Sequence, residues 1–347
     1  MKAGIFYGPH DIRVEEVPDP KIEKPTDAVV KITHSCICGS DLWFYRGITK
    51  REKGAVVGHE FIGKVIKVGK GVKKIKMGDF VIGPFLWCDG TCALCKKGMS
   101  SACLNGGGWG RGGTGGCQAE MLRVPQADGS LFAVSKNKQQ EKLMPSFLAL
   151  SDVMGTGYHA AVSAGVTKGS TVAVVGDGAV GLCAVLASKI LGAKKIILFS
   201  RHEKNTKVGK KFGATNIIVE RGEEGIKKLK SMTEDEIGAD CVLECVGTKE
   251  ARSMAYEAVR AGGRIGCVGL PESVPDIKAS DIFWKNITIG GGVSPAATYI
   301  PKLLPLVLSG KINLSPIFDL TLPLLELNKG YAAMDKRKAI KVLIKLQ

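Results

Sequence analysis

The sequence predicts an α/β chain of two folding units, one β-rich and the other a doubly wound parallel sheet. Three observations carry this expectation. Up to about residue 145 the chain is broken into short β-rich runs, such as Ala28–Thr33, Phe61–Val68 and Phe80–Ile82, punctuated by glycine and proline. From Ser170 to about Gly291, apolar strand runs alternate with helical ones: Thr171–Val175, Ala179–Leu191, Lys195–Ser200, Glu203–Phe212, Asp240–Glu244, Lys249–Val259 and Arg264–Val268. The chain has 347 residues, 45% of them hydrophobic, which is enough to bury a core in each of about two domains.

Each remaining segment has its own reading. The pattern turns helical around Ser146. Two helices, Tyr299–Leu308 and Leu324–Met334, and a closing strand, Ile340–Ile344, follow the alternating region. Residues 106–116 carry eight glycines and read as a mobile loop. No apolar run reaches the ~18 residues of a membrane span. The start, Met1-Lys2-Ala3-Gly4-Ile5-Phe6, reads as a strand and lacks a signal-peptide layout. These features point to a cytoplasmic protein without membrane partners. Its eleven cysteines are then candidates for metal ligation and small core positions, not for a disulfide framework. The formal charge of +16 is spread along the chain without any recognition motif. It argues for a field that draws an anionic cofactor, not for nucleic-acid binding.

Val172-Ala173-Val174-Val175 runs directly into Gly176-Asp177-Gly178-Ala179-Val180-Gly181 and an apolar helix. A Gly-x-Gly-x-x-Gly turn between strand and helix is the dinucleotide fingerprint of a Rossmann unit. The first glycine permits the tight turn, the second lets a pyrophosphate approach the backbone, and the third permits close packing. The phosphates meet the N–H groups at the helix start. The next strand ends in Ser200-Arg201-His202. An NAD enzyme places an acid here to hold the ribose hydroxyls. A hydroxyl, a guanidinium and an imidazole suit a 2′-phosphate better, so the expected cofactor is NADP(H) in preference to NAD(H).

Three further segments suggest a catalytic metal: Cys38 in Cys36-Ile37-Cys38-Gly39-Ser40-Asp41, His59 in Gly58-His59-Glu60, and Asp152 in Leu150-Ser151-Asp152-Val153. Catalytic zinc takes three protein ligands of these kinds and keeps a fourth position open. An alcohol in that position becomes more acidic and can shed hydride to a nicotinamide.

Cys-Gly-Ser-Asp, Gly-His-Glu and Gly-Asp-Gly-Ala-Val-Gly, in this order, resemble the medium-chain dehydrogenase/reductase superfamily in its zinc-dependent alcohol dehydrogenase branch. The resemblance spans essentially the whole chain. It implies a GroES-like catalytic domain formed by residues 1–153 and 295–347 around a Rossmann domain at 154–294. It also implies site roles. Glu60 would sit behind the zinc and transiently ligate it, Asp41 would orient His59, and Ser40 would take the alcohol proton. Thr156 would pack near the nicotinamide, with Cys245, Val246, Val268, Gly269 and Leu270 also lining the cofactor. Family members often carry a histidine five residues after the cysteine ligand, where this chain has Trp43. The proton relay would then run from Ser40 through the cofactor ribose to water. Trp43, Phe85 and Trp109 are candidate walls of an apolar substrate pocket for primary, aromatic or medium aliphatic alcohols and aldehydes.

The same family carries a structural zinc lobe of pattern Cys-x2-Cys-x2-Cys-x7-Cys. Cys92, Cys95 and Cys103 fit its last three positions. The first falls on Asp89, with Cys88 one residue earlier. Register favours Asp89 and thiolate chemistry favours Cys88. The expected cofactors are therefore one catalytic and one structural zinc besides NADP(H), and the expected assembly is a homodimer or homotetramer. The alternatives are a zinc-free NADPH-dependent quinone or enoyl reductase, or a non-catalytic cofactor-binding protein of the same fold.

Overall fold

A computed structural model describes residues 1–110, 114–135, 140–271 and 278–346. Arg111-Gly112-Gly113 of the expected glycine-rich loop lie outside the described residues. The chain divides into two compact units, Met1–Gly155 with Pro295–Gln347, and Thr156–Ser294.

The first unit is built on a seven-stranded sheet. The strand Ala28–Cys36 pairs antiparallel with Phe61–Val68, Met121–Val124 and Val342–Lys345. Six of its nine positions are buried; its first half, Ala28-Val29-Val30 with Ile32, is the apolar part, whereas Lys31 is exposed and Thr33-His34-Ser35 are polar. Ile32, Phe61, Leu122, Tyr331 and Val342 pack on one another in its core, each at most 1% exposed. Each such burial contributes about 1.5–3 kcal/mol relative to exposure. The register sets Ser35 opposite Phe61 and Cys36 opposite Leu343. The segments just beyond these residues, Ile37–Asp41, His59–Glu60 and Lys341, are therefore brought to one end of the sheet.

The expected closing strand begins later than its apolar pattern suggests, at Val342. The reason is local: Ile340 and Lys341 donate their N–H groups to Asp319 Oδ1 at 2.8 and 3.3 Å instead of to a strand. The helix expected from Leu324 opens with a tight 3₁₀ turn and becomes α-helical at Leu327–Asp335.

The second unit is a six-stranded parallel sheet. Its strands are β1 (Thr171–Val175), β2 (Lys195–Phe199), β3 (Asn216–Ile218), β4 (Ala239–Glu244), β5 (Val259–Cys267) and β6 (Thr288–Gly291), in the spatial order β3-β2-β1-β4-β5-β6. The strand order reverses between β1 and β4, the switch point at which ligands bind in open α/β sheets. Strand β5 starts five residues before the expected Arg264. Its pairing slips between Ala239 and Cys241, and Arg260–Gly263 loop out there, with Gly262 at φ +68°. Helix α1 (Ala179–Ile190) is buried from Gly181 to Ser188, where Gly181, Ala184, Ala187 and Ser188 permit a close approach to the sheet. Strand β6 is the sheet edge. Beside it in sequence, Phe283 and Trp284 are 71% and 79% exposed. Among the described residues, no helix is long and apolar enough to cross a membrane.

Candidate metal centre and cofactor loop

Cys38 follows the central strand of the first unit, and His59 and Glu60 precede its partner strand. Asp152 lies in the turn after the helix Gln140–Leu150. The strand pairing joins the first three, and Ser35 Oγ donates to the Glu60 carbonyl at 2.7 Å to fix their spacing. One ligand atom from each of Cys38, His59, Glu60 and Asp152 falls within 4.8 Å of the others. His59 Nε2 stands 3.3 Å from Asp152 Oδ2, and Cys38 Sγ stands 3.6 Å from the same oxygen. Tetrahedral zinc with ordinary Zn–N, Zn–O and Zn–S bonds needs ligand separations of about 3.4–3.6 Å. The two separations to Asp152 thus match edges of a zinc tetrahedron, and the donor atoms of all three side chains lie within 4.8 Å of one another.

Electrostatics support the same fit. Burial and the neighbouring Asp152 charge push the Cys38 thiol upward. Burial would lower the His59 pKa, but the charges of Asp41 and Cys38 outweigh it and raise it well above the usual imidazole range. Three potentially anionic donors crowd one imidazole, an arrangement that calls for a cation. Glu60 Oε2 is buried and has no hydrogen-bond partner among the described residues.

The surrounding residues hold this set rigid. Asp41 Oδ1 contacts His59 Nδ1 at 3.2 Å, which leaves Nε2 as the ligating nitrogen. Asp41 Oδ2 accepts from the Cys38 N–H at 3.0 Å. Gln118 Nε2 donates to the Cys36 carbonyl at 3.0 Å, and Tyr331 OH donates to Gln118 Oε1 at 2.9 Å. Behind the cluster, Lys341 Nζ donates to Glu60 Oε1 at 2.7 Å, with the two side chains 1% and 0% exposed. Sequence reasoning missed Lys341, Gln118 and Tyr331. A lone lysine in the apolar run Ala339-Ile340-Lys341-Val342-Leu343-Ile344 was the available signal for the first.

The aromatic candidates separate. Phe85 lies edge-on to His59, with ring centroids 6.4 Å apart, and Trp43 is half-buried. Trp109 is no pocket wall: it is 4% exposed, packs edge-on against Phe61, and donates its N–H to the Pro84 carbonyl at 2.9 Å. Its indole is consumed by the core, where a satisfied N–H is the condition for burial. Ser40 is half-buried at the start of the short helix Asp41–Tyr45.

In the cysteine lobe, donor atoms of Asp89, Cys92, Cys95 and Cys103 lie within 4.8 Å of one another. Cys92 and Cys103 sulfurs are 3.8 Å apart, the edge expected of about 2.3 Å Zn–S bonds in a tetrahedron. The Asp89 carboxylate accepts from the N–H groups of Thr91 and Cys92, which points it into the cluster's turn. Cys88 lies outside this set. It is 1% exposed, its thiol donates to the Gly129 carbonyl at 3.2 Å, and burial pushes its pKa up to about 11.

In the second unit, Gly176 has φ +113°, and a Cβ there would stand 2.6 Å from Val246 Cγ2. A Cβ on Gly181 would reach 1.9 Å from the Gly176 carbonyl oxygen. Only glycine fits at either position. Gly178, by contrast, opens onto free space at the N-terminus of α1, a cradle suited to a pyrophosphate. Val246 and Leu270 expose 38% and 48% of their surface at the ends of β4 and β5, and Cys245, Val268 and Gly269 are half-buried beside them. Thr156 is 9% exposed on the helix Val153–Ser163. Ser200 is only 1% exposed, and its hydroxyl donates to Asp177 Oδ2 at 2.9 Å. Its single proton is thus committed, while Arg201 is exposed and His202 half-buried.

Residues 24–136 match the family model of the alcohol dehydrogenase GroES-like domain, and residues 179–309 match that of the zinc-binding dehydrogenase. The chain is similar to zinc-type alcohol dehydrogenase B of Aspergillus flavus, at 33% identity over 352 residues that cover 99% of this chain and 81% of that protein. It is similar to the glutathione-independent formaldehyde dehydrogenase of Bacillus subtilis, at 30% identity over 99% of this chain and 96% of that protein. Among solved structures, an alcohol dehydrogenase from Thermus sp. ATN1 matches with a TM-score of 0.92 and 34% identity, covering 100% of both chains.

Proposed function

Since the chain belongs to the zinc-dependent alcohol dehydrogenases of the medium-chain dehydrogenase/reductase superfamily, we propose that it interconverts an alcohol and its aldehyde or ketone by hydride transfer with NADP(H). The observation that carries the reading is the convergence of Cys38 and His59 on Asp152 Oδ2, at 3.6 and 3.3 Å. These three would hold zinc, with Glu60 as an occasional fourth ligand. When bound, zinc supplies a Lewis acid that lowers the pKa of an alcohol hydroxyl at its open position.

The side chains do the rest. Asp41 fixes the His59 ring through Nδ1. Ser40 takes the alcohol proton. Trp43 offers no acid–base group, so a proton taken by Ser40 would have to reach solvent without help from position 43. Phe85 and Trp43 give the pocket an apolar wall, which favours primary, aromatic or medium aliphatic substrates. The likeness to a formaldehyde dehydrogenase adds small aldehydes to the panel worth assaying. The Asp89, Cys92, Cys95 and Cys103 cluster is assigned a structural zinc, which braces its loop and does no chemistry.

The preference for NADP(H) is read from Arg201, an exposed guanidinium one residue beyond the position where an NAD enzyme carries its acid. A charge-assisted bond to a 2′-phosphate contributes about 1.5–3 kcal/mol, or roughly 10- to 150-fold in affinity. Arg201→Ala is expected to lower kcat/KM for NADP(H) by about that factor and to leave NAD(H) nearly unchanged. The check is the ratio of efficiencies for the two cofactors at fixed ionic strength, across a panel of alcohols and aldehydes. A native enzyme that uses NAD(H) equally well ends the assignment.

Among the described residues strand β6 is an edge of the sheet, and Phe283 and Trp284 are exposed on the helix Ala279–Lys285 that precedes it in sequence. We assign this face to a second copy of the chain, giving a homodimer or homotetramer. Sedimentation velocity should return a mass of two or four chains, and Trp284→Glu should shift it toward one. A native mass of a single chain removes the proposal.

A further inference from the structure

The strand-end position that carries an acid in NAD enzymes is Ser200 here, yet a carboxylate occupies the place all the same. It comes from Asp177, the second residue of the glycine turn, whose Oδ2 accepts the Ser200 hydroxyl at 2.9 Å. Two residues of the helix Glu203–Phe212 hold the arrangement in place. Thr206 Oγ1 lies 2.9 Å from Ser200 Oγ, and because the Ser200 proton is already given to Asp177, Thr206 is the donor. Asn205 Nδ2 donates to the Asp177 carbonyl at 2.7 Å. The half-buried Asp177 side chain is therefore pinned against the end of β2, not left to swing into solvent.

We infer that Asp177 is a cofactor-specificity residue that opposes Arg201: it accepts from the ribose hydroxyls of NAD(H) and repels the 2′-phosphate of NADP(H). The inference deepens the NADP(H) reading and rests on it for the location of the ribose. Two effects combine. A carboxylate beside a phosphate raises the free energy of the bound 2′-phosphorylated cofactor. The same carboxylate provides a hydrogen-bond acceptor for an unmodified ribose. Ser200 does not relieve the repulsion, because its donor points at Asp177 and away from any ligand. The native discrimination is then the difference between attraction by Arg201 and repulsion by Asp177, so NAD(H) remains usable.

The test measures dissociation constants of NADPH and NADH for the full chain by fluorescence titration, for the native protein and Asp177→Asn. The substitution keeps the side chain's shape and removes its charge. The ratio Kd(NADH)/Kd(NADPH) is expected to rise about ten-fold, the order of one charge–charge interaction across a few ångströms of partly screened surface. NADPH should tighten and NADH should weaken. The rise should shrink between 0.05 and 0.5 M salt, on the order of a Debye-length effect, which a purely structural change would not do. Asp177→Ser serves as the second variant if the amide disturbs the turn. A ratio within two-fold of native, or a shift that salt leaves unchanged, overturns the inference. A native protein that binds NADH more tightly than NADPH sinks the cofactor preference alone, because the displacement caused by Asp177→Asn is still read against that native ratio.

Discussion

Cys38→Ala is expected to lower alcohol oxidation by at least about a thousand-fold, because it removes one of three ligands from a Lewis acid worth several kcal/mol at the transition state. Cys38 Sγ is 3.6 Å from Asp152 Oδ2, and among the described residues no other thiol belongs to this donor group, so only the carboxylate of Glu60 could take its place. The nucleotide-binding strands and glycine turn belong to the other compact unit, and NADPH binding by the variant should persist. Metal analysis supplies an independent readout. The native protein should hold close to two zincs per chain and Cys38→Ala close to one. The same measurement separates the lobe's fourth ligand: Asp89→Ala should lose a zinc, whereas Cys88→Ser, whose thiol is spent on the Gly129 carbonyl, should keep both. Near-native turnover by Cys38→Ala would refute the metal mechanism.

Lys341→Met should destabilise the protein by about 3–5 kcal/mol, the cost of leaving one member of a buried ion pair without its partner. Lys341 and Glu60 are 1% and 0% exposed and 2.7 Å apart, so water does not screen the pair. With Lys341 gone, Glu60 faces Asp152 and its own desolvation, both of which favour the neutral acid. Glu60→Gln with Lys341→Met removes both charges and should recover most of the loss, giving a coupling energy in a double-mutant cycle. Denaturant midpoints of the zinc-loaded protein measure it. If Lys341→Met shifts stability by less than about 1 kcal/mol, the pair is not a buried ion pair in solution.

Much of the candidate site was legible because its chemistry is local in the chain. Gly176 is demanded by its φ and Gly181 by the Gly176 carbonyl five residues earlier, and such local sterics leave a mark in the sequence. His59 with Glu60 and Cys38 with Asp41 are near neighbours whose types name their roles. The aromatic residues were harder to read. Phe85 and Trp109 look alike as large apolar side chains, but one faces His59 and the other is sealed against Phe61. Nothing in the local pattern distinguishes them, since burial depends on which distant surface arrives.

The sequence by itself determined the two-unit α/β class, the parallel sheet with its glycine turn, and the residue types that gather as metal donors. Periodicity, turn sterics and ligand chemistry act over a few residues, so each is written where it operates. Tertiary structure alone decided four matters. It brought Lys341 to Glu60 across 281 residues, and it placed Asp89 in the lobe's donor set while giving the Cys88 thiol the Gly129 carbonyl. It sealed Trp109 in the core, and it set the Asp177 carboxylate beside Ser200, 23 residues on. Each of these depends on where a side chain points after sheets close and strands fall into register. That direction is set by packing and by the need to satisfy every buried polar group, conditions that belong to the whole fold and not to any one segment.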